Sequence, residues 1–369
     1  MYNTIEDALP EVLQAFDFGG AVAGALRYGE GHINDTFAVY VQQPDGGERR
    51  YILQRINTNT FKNPDELMEN IFGVTRYLRG IIEKTGGDPL RETLNFVPTK
   101  RGKTYFTDSD GGAWRLCLFV EDTVCLQKVD NDALFCTVGE AFGHFQTQLS
   151  GYPADTLHET IAHFHDTPSR FANFERALAA DPLGRAAALA DEIAFVRARE
   201  QDCHHLTDLL AAGKLPLRVT HNDTKLNNVL LDKETGKGLC VIDLDTVMPG
   251  LVAYDFGDTI RFGANDCDED EPDQTKVHFS LPLFEIFTGG FLSAASALTP
   301  TEKETLPWGA KLMTLECGIR FLTDYLEGDT YFKIHRPDQN LDRARTQFKL
   351  VADMEAQWDE MAAVIQKLG

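Results

Sequence analysis

The chain has 369 residues, room for two or three lobes with real cores, and its 43% hydrophobic and 25% charged content exclude a disordered polypeptide. Its 57 acidic against 35 basic residues leave a formal net charge of −22. That argues against a duplex nucleic-acid binder, which displaces counterions with a cationic footprint; the excess acid serves solubility or a cationic substrate.

In chain order, residues 1–18 predict an amphipathic helix. The acidic start MYNTIEDALPEVLQAF lacks the cationic opening and apolar run of a secretory signal. Two alternating runs follow, Ala25–Tyr28 and Thr36–Val41. They flank a turn that holds Gly29, Gly31, His32, Asn34 and Asp35. A third strand spans Tyr51–Ile56, after the turn Pro44-Asp45-Gly46-Gly47. A helix then starts at the N-cap Asn63, with Pro64 in its first turn and Glu66 three residues on. Leu67, Ile71, Val74, Leu78 and Ile82 give it one apolar face, and Gly86-Gly87 ends it. Strands over Leu94–Thr99 and Trp114–Val120 complete a run of three strands, one helix and two strands.

Beyond Glu121 the pattern is mostly helical: 133–149, 168–180, 182–212, 281–298, 301–326 and 341–368. Leu281–Leu298, the longest apolar stretch, is interrupted by Glu285 and Gly289-Gly290, so no segment is expected to span a membrane. Seven scattered cysteines without a CxxC pair fit free thiols in a reducing, cytoplasmic setting. His163-Phe164-His165 and His204-His205 lack zinc-site spacing and are expected at the surface or at helix ends.

The exception to the helical pattern is Leu217–Asp245, where two short β runs flank Asp232-Lys233-Glu234-Thr235-Gly236. It opens with Thr220-His221-Asn222-Asp223-Thr224-Lys225-Leu226-Asn227-Asn228, and fifteen residues past Asn228 comes Val241-Ile242-Asp243-Leu244-Asp245. Phosphoryl transfer needs such a set: a carboxylate at the attacking hydroxyl, oxygen ligands for Mg²⁺, and a cation for the phosphates. Asp223 is the candidate base, Asn228 and Asp243 the candidate metal ligands, and Lys225 the candidate γ-phosphate contact. His221 is expected to brace the loop.

This run resembles the catalytic loop of the protein-kinase-like fold, H-x-D-x-x-x-x-N, with His221, Asp223, Lys225 and Asn228 in register. Val241-Ile242-Asp243 resembles the hydrophobic-Ile-Asp strand of its small-molecule branch, which includes aminoglycoside phosphotransferases and choline and homoserine kinases. The resemblance implies an α/β (α+β), two-lobed fold: a five-stranded antiparallel N-lobe sheet with one helix over residues 1–120, and a mainly helical C-lobe over 121–369. Asp255-Phe256-Gly257 spells D-F-G but lies 27 residues past Asn228, so Asp255 is read as a structural brace. Gly29 and Gly31 resemble the glycine-rich hairpin over the phosphates of ATP. Gln54 or Arg55 stands where the family carries a third-strand Lys, and Glu66 or Glu69 is available to orient Arg55. Glu121 falls in the segment that would meet adenine.

More specific phrases resemble the N-acetylhexosamine 1-kinases: Gly29-x-Gly31-His32-Ile33-Asn34-Asp35-Thr36, Tyr51-Ile52-Leu53-Gln54-Arg55-Ile56-Asn57, Thr220-His221-Asn222-Asp223-Thr224-Lys225, Ile242-Asp243-Leu244-Asp245-Thr246-Val247-Met248-Pro249-Gly250 and Arg320-Phe321-Leu322-Thr323-Asp324-Tyr325-Leu326. These imply transfer from ATP with Mg²⁺ to the anomeric hydroxyl of N-acetylglucosamine or N-acetylgalactosamine; a monomer or dimer with a small-molecule partner, and none of nucleic acid or membrane, is expected. They make His32, Phe262, Arg320 and Tyr331 sugar-site candidates beside Asp223 and Asp243. Arg320 and Asp324 share a helix face, to hydrogen-bond a sugar or to form an ion pair. An aminoglycoside, choline or homoserine acceptor is the alternative, to which the acidic loop Asn265–Asp273 would be suited. An inactive nucleotide-binding scaffold is another.

Overall fold

The computed structural model describes residues 2–29, 33–129 and 131–369. The chain forms two compact units. One takes the residues up to Val124 together with Asp155–Ala162 and Leu230–Met248; the other takes Cys125–Ala154, His163–Val229 and Pro249–Gly369.

The first unit opens with a short helix, α1 (Leu9–Gln14), and the strands β1 (Ala21–Arg27), β2 (Asp35–Gln42) and β3 (Glu48–Ile56). After the long helix α2 (Pro64–Thr85) come β4 (Phe96–Val97), β5 (Phe106–Thr107) and β6 (Ala113–Leu118). The sheet is antiparallel, ordered β1-β2-β3-β6-β4, with β5 also on β6. The two-residue β5 is the strand the sequence does not announce. Strand alternation puts Phe37, Val39 and Val41 of β2 and Leu53 of β3 in one core with Trp114, Leu116, Val12 and Phe16.

Helix α2 starts as expected. The Asn63 side chain accepts from the N–H groups of Asp65 and Glu66, and the chain leaves the helix at Gly86 with φ +81°. A second sheet, ordered β10-β9-β7, joins β7 (Thr123–Cys125) to the hairpin of β9 (Val229–Asp232) and β10 (Gly238–Val241). Buried Asn70 on α2 ties the later segments of this unit together. Its Nδ2 donates to the carbonyls of His158 at 2.8 Å and Val247 at 3.0 Å, and its oxygen accepts from His158 N at 2.8 Å. Glu69 bonds His158 Nε2 at 2.8 Å, so it is not the partner of Arg55.

The second unit is helical. It holds α3 (Asp132–Leu149), α4 (Thr167–Ala180), the short helices α5 (Ala190–Arg197), α6 (Glu200–Cys203) and α7 (His205–Ala211), and the strand β8 (Arg218–Thr220). After these come α8 (Val252–Gly263), α9 (Leu281–Ala294), α10 (Pro300–Glu304), α11 (Leu306–Glu327), α12 (Gln339–Ala356) and α13 (Trp358–Leu368). The single helix expected over 182–212 is broken, once at Arg199, where the guanidinium turns to Glu355 (Nε–Oε1 2.9 Å). The helix expected over 341–368 breaks at Gln357, which leaves helical geometry at φ −111°. Helices α8 and α11 meet backbone to backbone. A Cβ on Gly257 would lie 2.2 Å from the Gly309 carbonyl oxygen, and one on Gly309 2.0 Å from that of Ala253. All seven cysteines are unpaired.

Candidate active site

β8 delivers the chain to His221, and a single 3-10 turn over Leu226–Asn228 closes the loop. His221 is fully buried, with its ring edge-on to Phe142 at 6.0 Å and Phe145 at 6.2 Å. Its Nδ1 accepts the Asp223 N–H at 3.2 Å. This is a bracing geometry. Asn222, at φ +64°, turns the chain through the left-handed region.

The loop is held from behind by α8. The buried Asp255 carboxylate accepts from the N–H groups of His221 at 2.9 Å and Asn222 at 2.7 Å, and from Gln146 Nε2 at 2.6 Å. Thr224 Oγ1 donates to the Asp255 carbonyl at 2.5 Å, and Thr259 Oγ1 donates to the Thr224 carbonyl at 2.7 Å. With both Asp255 oxygens engaged by loop and core donors, its carboxylate is a structural group. Gly257 of the same triplet serves helix packing.

Asp223 follows Asn222 with its carboxylate half-exposed. Lys225 Nζ pairs with Oδ1 at 2.7 Å. Asn228 Nδ2 donates to the Asp223 carbonyl at 2.7 Å and to Oδ2 at 3.2 Å. The Asn228 amide oxygen makes no hydrogen bond to a described residue, which suits a hard cation. Burial works against the Lys225 charge, but Asp223 and, farther off, Asp258 outweigh it and hold the ammonium pKa above its ordinary value. Asp258, one turn past Asp255, binds Arg261 Nε and Nη2 through Oδ1 at 3.1 and 3.0 Å, while its buried Oδ2 has no hydrogen-bond partner among the described residues.

In the first unit, the strand β10 leads to Asp243, which adopts φ +58°. Two residues on, Asp245 is buried. It binds Asn34 Nδ2 at 2.5 Å through one oxygen and Arg115 Nη1 through the other. Arg115 lies opposite Gln54 in the β3–β6 ladder, and its Nε and Nη2 donate to Gln54 Oε1 at 3.0 and 2.8 Å. Burial works against the Arg115 charge, yet Asp245 and Asp243 hold its pKa above the ordinary arginine value.

Gln54 faces the Asp245 cluster, and a cation reaches that cluster from β6, as Arg115. Arg55 points to the opposite face, where a Cβ on Gly112 would lie 2.7 Å from its Nε. Glu121 is tied to Arg50, whose Nε donates to it at 3.0 Å and whose guanidinium covers the Phe119 ring at 3.9 Å. Gly29 takes φ +74° in open space; Gly31 and His32 lie outside the described residues.

On the second unit, Arg320 and Tyr331 come together, the guanidinium 5.9 Å from the Tyr331 ring and 5.4 Å from that of Phe332. Tyr331 is 72% exposed and Phe262 39%. Asp324 is not the ion-pair partner of Arg320. It accepts from the N–H groups of Thr330, Tyr331 and Phe332 and from Asn340 Nδ2, at 2.7–2.9 Å. Carboxylates of the acidic loop are largely engaged: Asp268 with Lys128, Glu269 with Arg261, Asp270 with Arg336, and Glu271 and Asp273 with Lys276. Among the described residues no group of three or more His, Cys, Asp or Glu is arranged to hold a metal by itself, and no helix is long and apolar enough to cross a membrane. Sequence reasoning missed Arg115, Asn70 and Asp258, each polar within an apolar strand or helix face.

Residues 25–279 match the family model described as the phosphotransferase enzyme family, APH. Among solved structures, an aminoglycoside phosphotransferase from Alicyclobacillus acidocaldarius is similar at a TM-score of 0.58 and 14% identity, over 97% of this chain and 95% of that one. The amicoumacin kinase hAmiN, solved with AMP-PNP, Ca²⁺ and Ami, gives 0.57 and 14% over 96% and 94%. A choline/ethanolamine kinase family protein from Mesorhizobium loti gives 0.57 and 16% over 99% and 100%. These likenesses show the kinase-like fold, and the family match spans well over half of the sequence. The chain belongs to the phosphotransferase enzyme family and is a small-molecule phosphotransferase.

Proposed function

We propose that the protein transfers the γ-phosphoryl group of ATP, with Mg²⁺, to the anomeric hydroxyl of an N-acetylhexosamine in the cytoplasm. The observation that carries the phosphoryl-transfer part is the Asp223 carboxylate, flanked by Lys225 at 2.7 Å and by Asn228 at 3.2 Å in a loop anchored by Asp255. Asp223 orients the acceptor hydroxyl and takes its proton as the new P–O bond forms and the bond between the γ-phosphorus and the β–γ bridging oxygen breaks, releasing ADP. Lys225 neutralises charge near the reacting phosphoryl group. Asn228 and Asp243 offer the hard oxygen donors a divalent cation takes, and the cation supplies charge neutralisation on the phosphates. Gly29, Gly31, Gln54 and Glu121 are assigned to the nucleotide side; Arg115 takes the place of the third-strand cation in that set. His32, Phe262, Arg320 and Tyr331 are assigned to the sugar.

The sugar assignment rests on the sequence phrases and on the exposed Tyr331 ring beside Arg320, an aromatic face with a fork of donors. A cationic acceptor is disfavoured because the carboxylates of the acidic loop already pair within the chain. Incubating the protein with ATP and Mg²⁺ against N-acetylglucosamine, N-acetylgalactosamine, choline, homoserine and an aminoglycoside tests this. ATP consumption with a hexosamine is expected; consumption only with choline or the aminoglycoside overturns it.

A further inference from the structure

His165, one of the histidines expected at the surface or at helix ends, directly precedes Asp166, the N-cap of α4; its side chain is only 11% exposed and that of its neighbour Glu316 only 3%. His165 Nε2 lies 3.0 Å from the carbonyl oxygen of Asn222. A carbonyl only accepts, so Nε2 carries a proton. His165 Nδ1 lies 3.2 Å from Glu316 Oε1, and the other Glu316 oxygen accepts from Thr167 Oγ1 at 2.8 Å. A carboxylate accepts only, so opposite one Nδ1 donates as well.

The residue at the far end of this chain of contacts is Asn222, left-handed at φ +64° and directly ahead of Asp223. Its N–H is held by Asp255 at 2.7 Å and its carbonyl by His165, so both peptide groups of the strained residue are fixed by side chains. We propose that His165 is a positioning residue for Asp223: an imidazolium that donates from both ring nitrogens and locks the peptide carrying the base. The inference rests on reading Asp223 as that base.

The charged state has local support. His165 faces Glu316 from α11 and Asp258 from α8, and its ring packs on Phe164 at 4.6 Å and Tyr254 at 5.4 Å. Arg261 and Lys225 stand beyond Asp258, and Arg170 beyond Glu316. Burial works against the charge, but Glu316, Asp258 and the Asn222 carbonyl outweigh it, so the ring holds its proton above the ordinary histidine range. The proton, and with it the clamp, is present at lower pH and lost as pH rises through that raised value.

The test uses the full-length protein and the acceptor it turns over fastest. In wild type, kcat is expected to fall on the alkaline side through one group that titrates above the usual histidine range. Glu316→Gln removes the counter-charge, so this limb moves to lower pH. His165→Gln, which can donate only from its amide, loses the limb and lowers kcat by on the order of 10- to 100-fold, with the KM for ATP little changed. Wild-type kcat and an intact alkaline limb in His165→Gln would overturn the clamp. Nitrogen-15 NMR of the wild-type imidazoles needs no variant: both His165 ring nitrogens protonated at neutral pH is the expected result, and a neutral ring overturns the proposal. Wild-type protein that transfers phosphate to no acceptor counts instead against the kinase reading.

Discussion

Gln54 on β3 and Arg115 on β6 face each other across the sheet, and the single amide oxygen of Gln54 accepts two guanidinium hydrogen bonds at 3.0 and 2.8 Å. A lysine on β3 at this position would place two cations side by side. The sequence instead moves the charge one strand over and gives β3 the acceptor.

Arg115→Met therefore removes the buried ion-pair partner of Asp245 and leaves that carboxylate with Asn34 among the described residues. A loss of about 3–5 kcal/mol in unfolding free energy is expected, read by urea denaturation. The double variant Arg115→Met/Asp245→Asn should recover part of it. A single-variant loss under about 1 kcal/mol would show that the pair is not the anchor described.

Asp223→Asn keeps the shape of the side chain but cannot accept the hydroxyl proton. We expect kcat to drop by on the order of 10²–10⁴ with nucleotide affinity little changed, as read by steady-state kinetics alongside calorimetry. Near-full turnover would remove Asp223 from the role of base.

Asp243→Ala deletes the carboxylate at the end of the β9–β10 hairpin. Titration calorimetry with ATP should show binding in Mg²⁺ buffer lost in the variant, while thermal unfolding shows the fold kept. Unchanged affinity contradicts the metal-ligand assignment.

Glu302 gives a pH-dependent stability prediction. Burial works against its charge, but the Arg218 guanidinium, at 2.8 Å from each carboxylate oxygen, and the Thr299 N–H hold its pKa below the ordinary glutamate value. A depressed folded-state pKa stabilises above the unfolded value of about 4.3, and the gain is lost as pH falls through the folded value. Glu302→Gln should cost on the order of 1.5–3 kcal/mol at pH 7, and the gap should close in acid. A gap of constant size across the acid range would contradict the pairing. Because Arg218 begins the strand that feeds the His221–Asn228 loop, the same variant is expected to weaken turnover.

Gly257→Ala drives a methyl group into the Gly309 carbonyl, 2.2 Å away. The obstacle is backbone, which cannot rotate aside, so overpacking of about 1–3 kcal/mol or more is expected in thermal or urea unfolding. A variant as stable as wild type would show that α8 and α11 do not meet so closely.

Much of this was legible because local signals and global need coincide. Asn63, Pro64 and Gly86 mark α2 whatever it packs against, and Phe37, Val39 and Val41 alternate because one sheet face is buried. The His221–Asn228 run could be read since few other uses explain those residue types at that spacing. Arg115, Asn70 and His165 were not legible. Each has a partner, at Asp245, Val247 or Asn222, that is 57 to 177 positions away, and periodicity carries no information about such pairs. Arg320 and Asp324 misled for the opposite reason: their spacing allows an ion pair, but the loop after α11 brings three N–H donors to Asp324 first.

The central claim is that Asp223 directs phosphate from ATP to one hydroxyl of a sugar. Phosphorus and proton NMR of the product formed from ATP, Mg²⁺ and N-acetylglucosamine or N-acetylgalactosamine tests it most directly. Phosphorus coupled to the anomeric proton, absent with Asp223→Asn, is the predicted result. Phosphate on any other carbon, or product formed equally by Asp223→Asn, would contradict it.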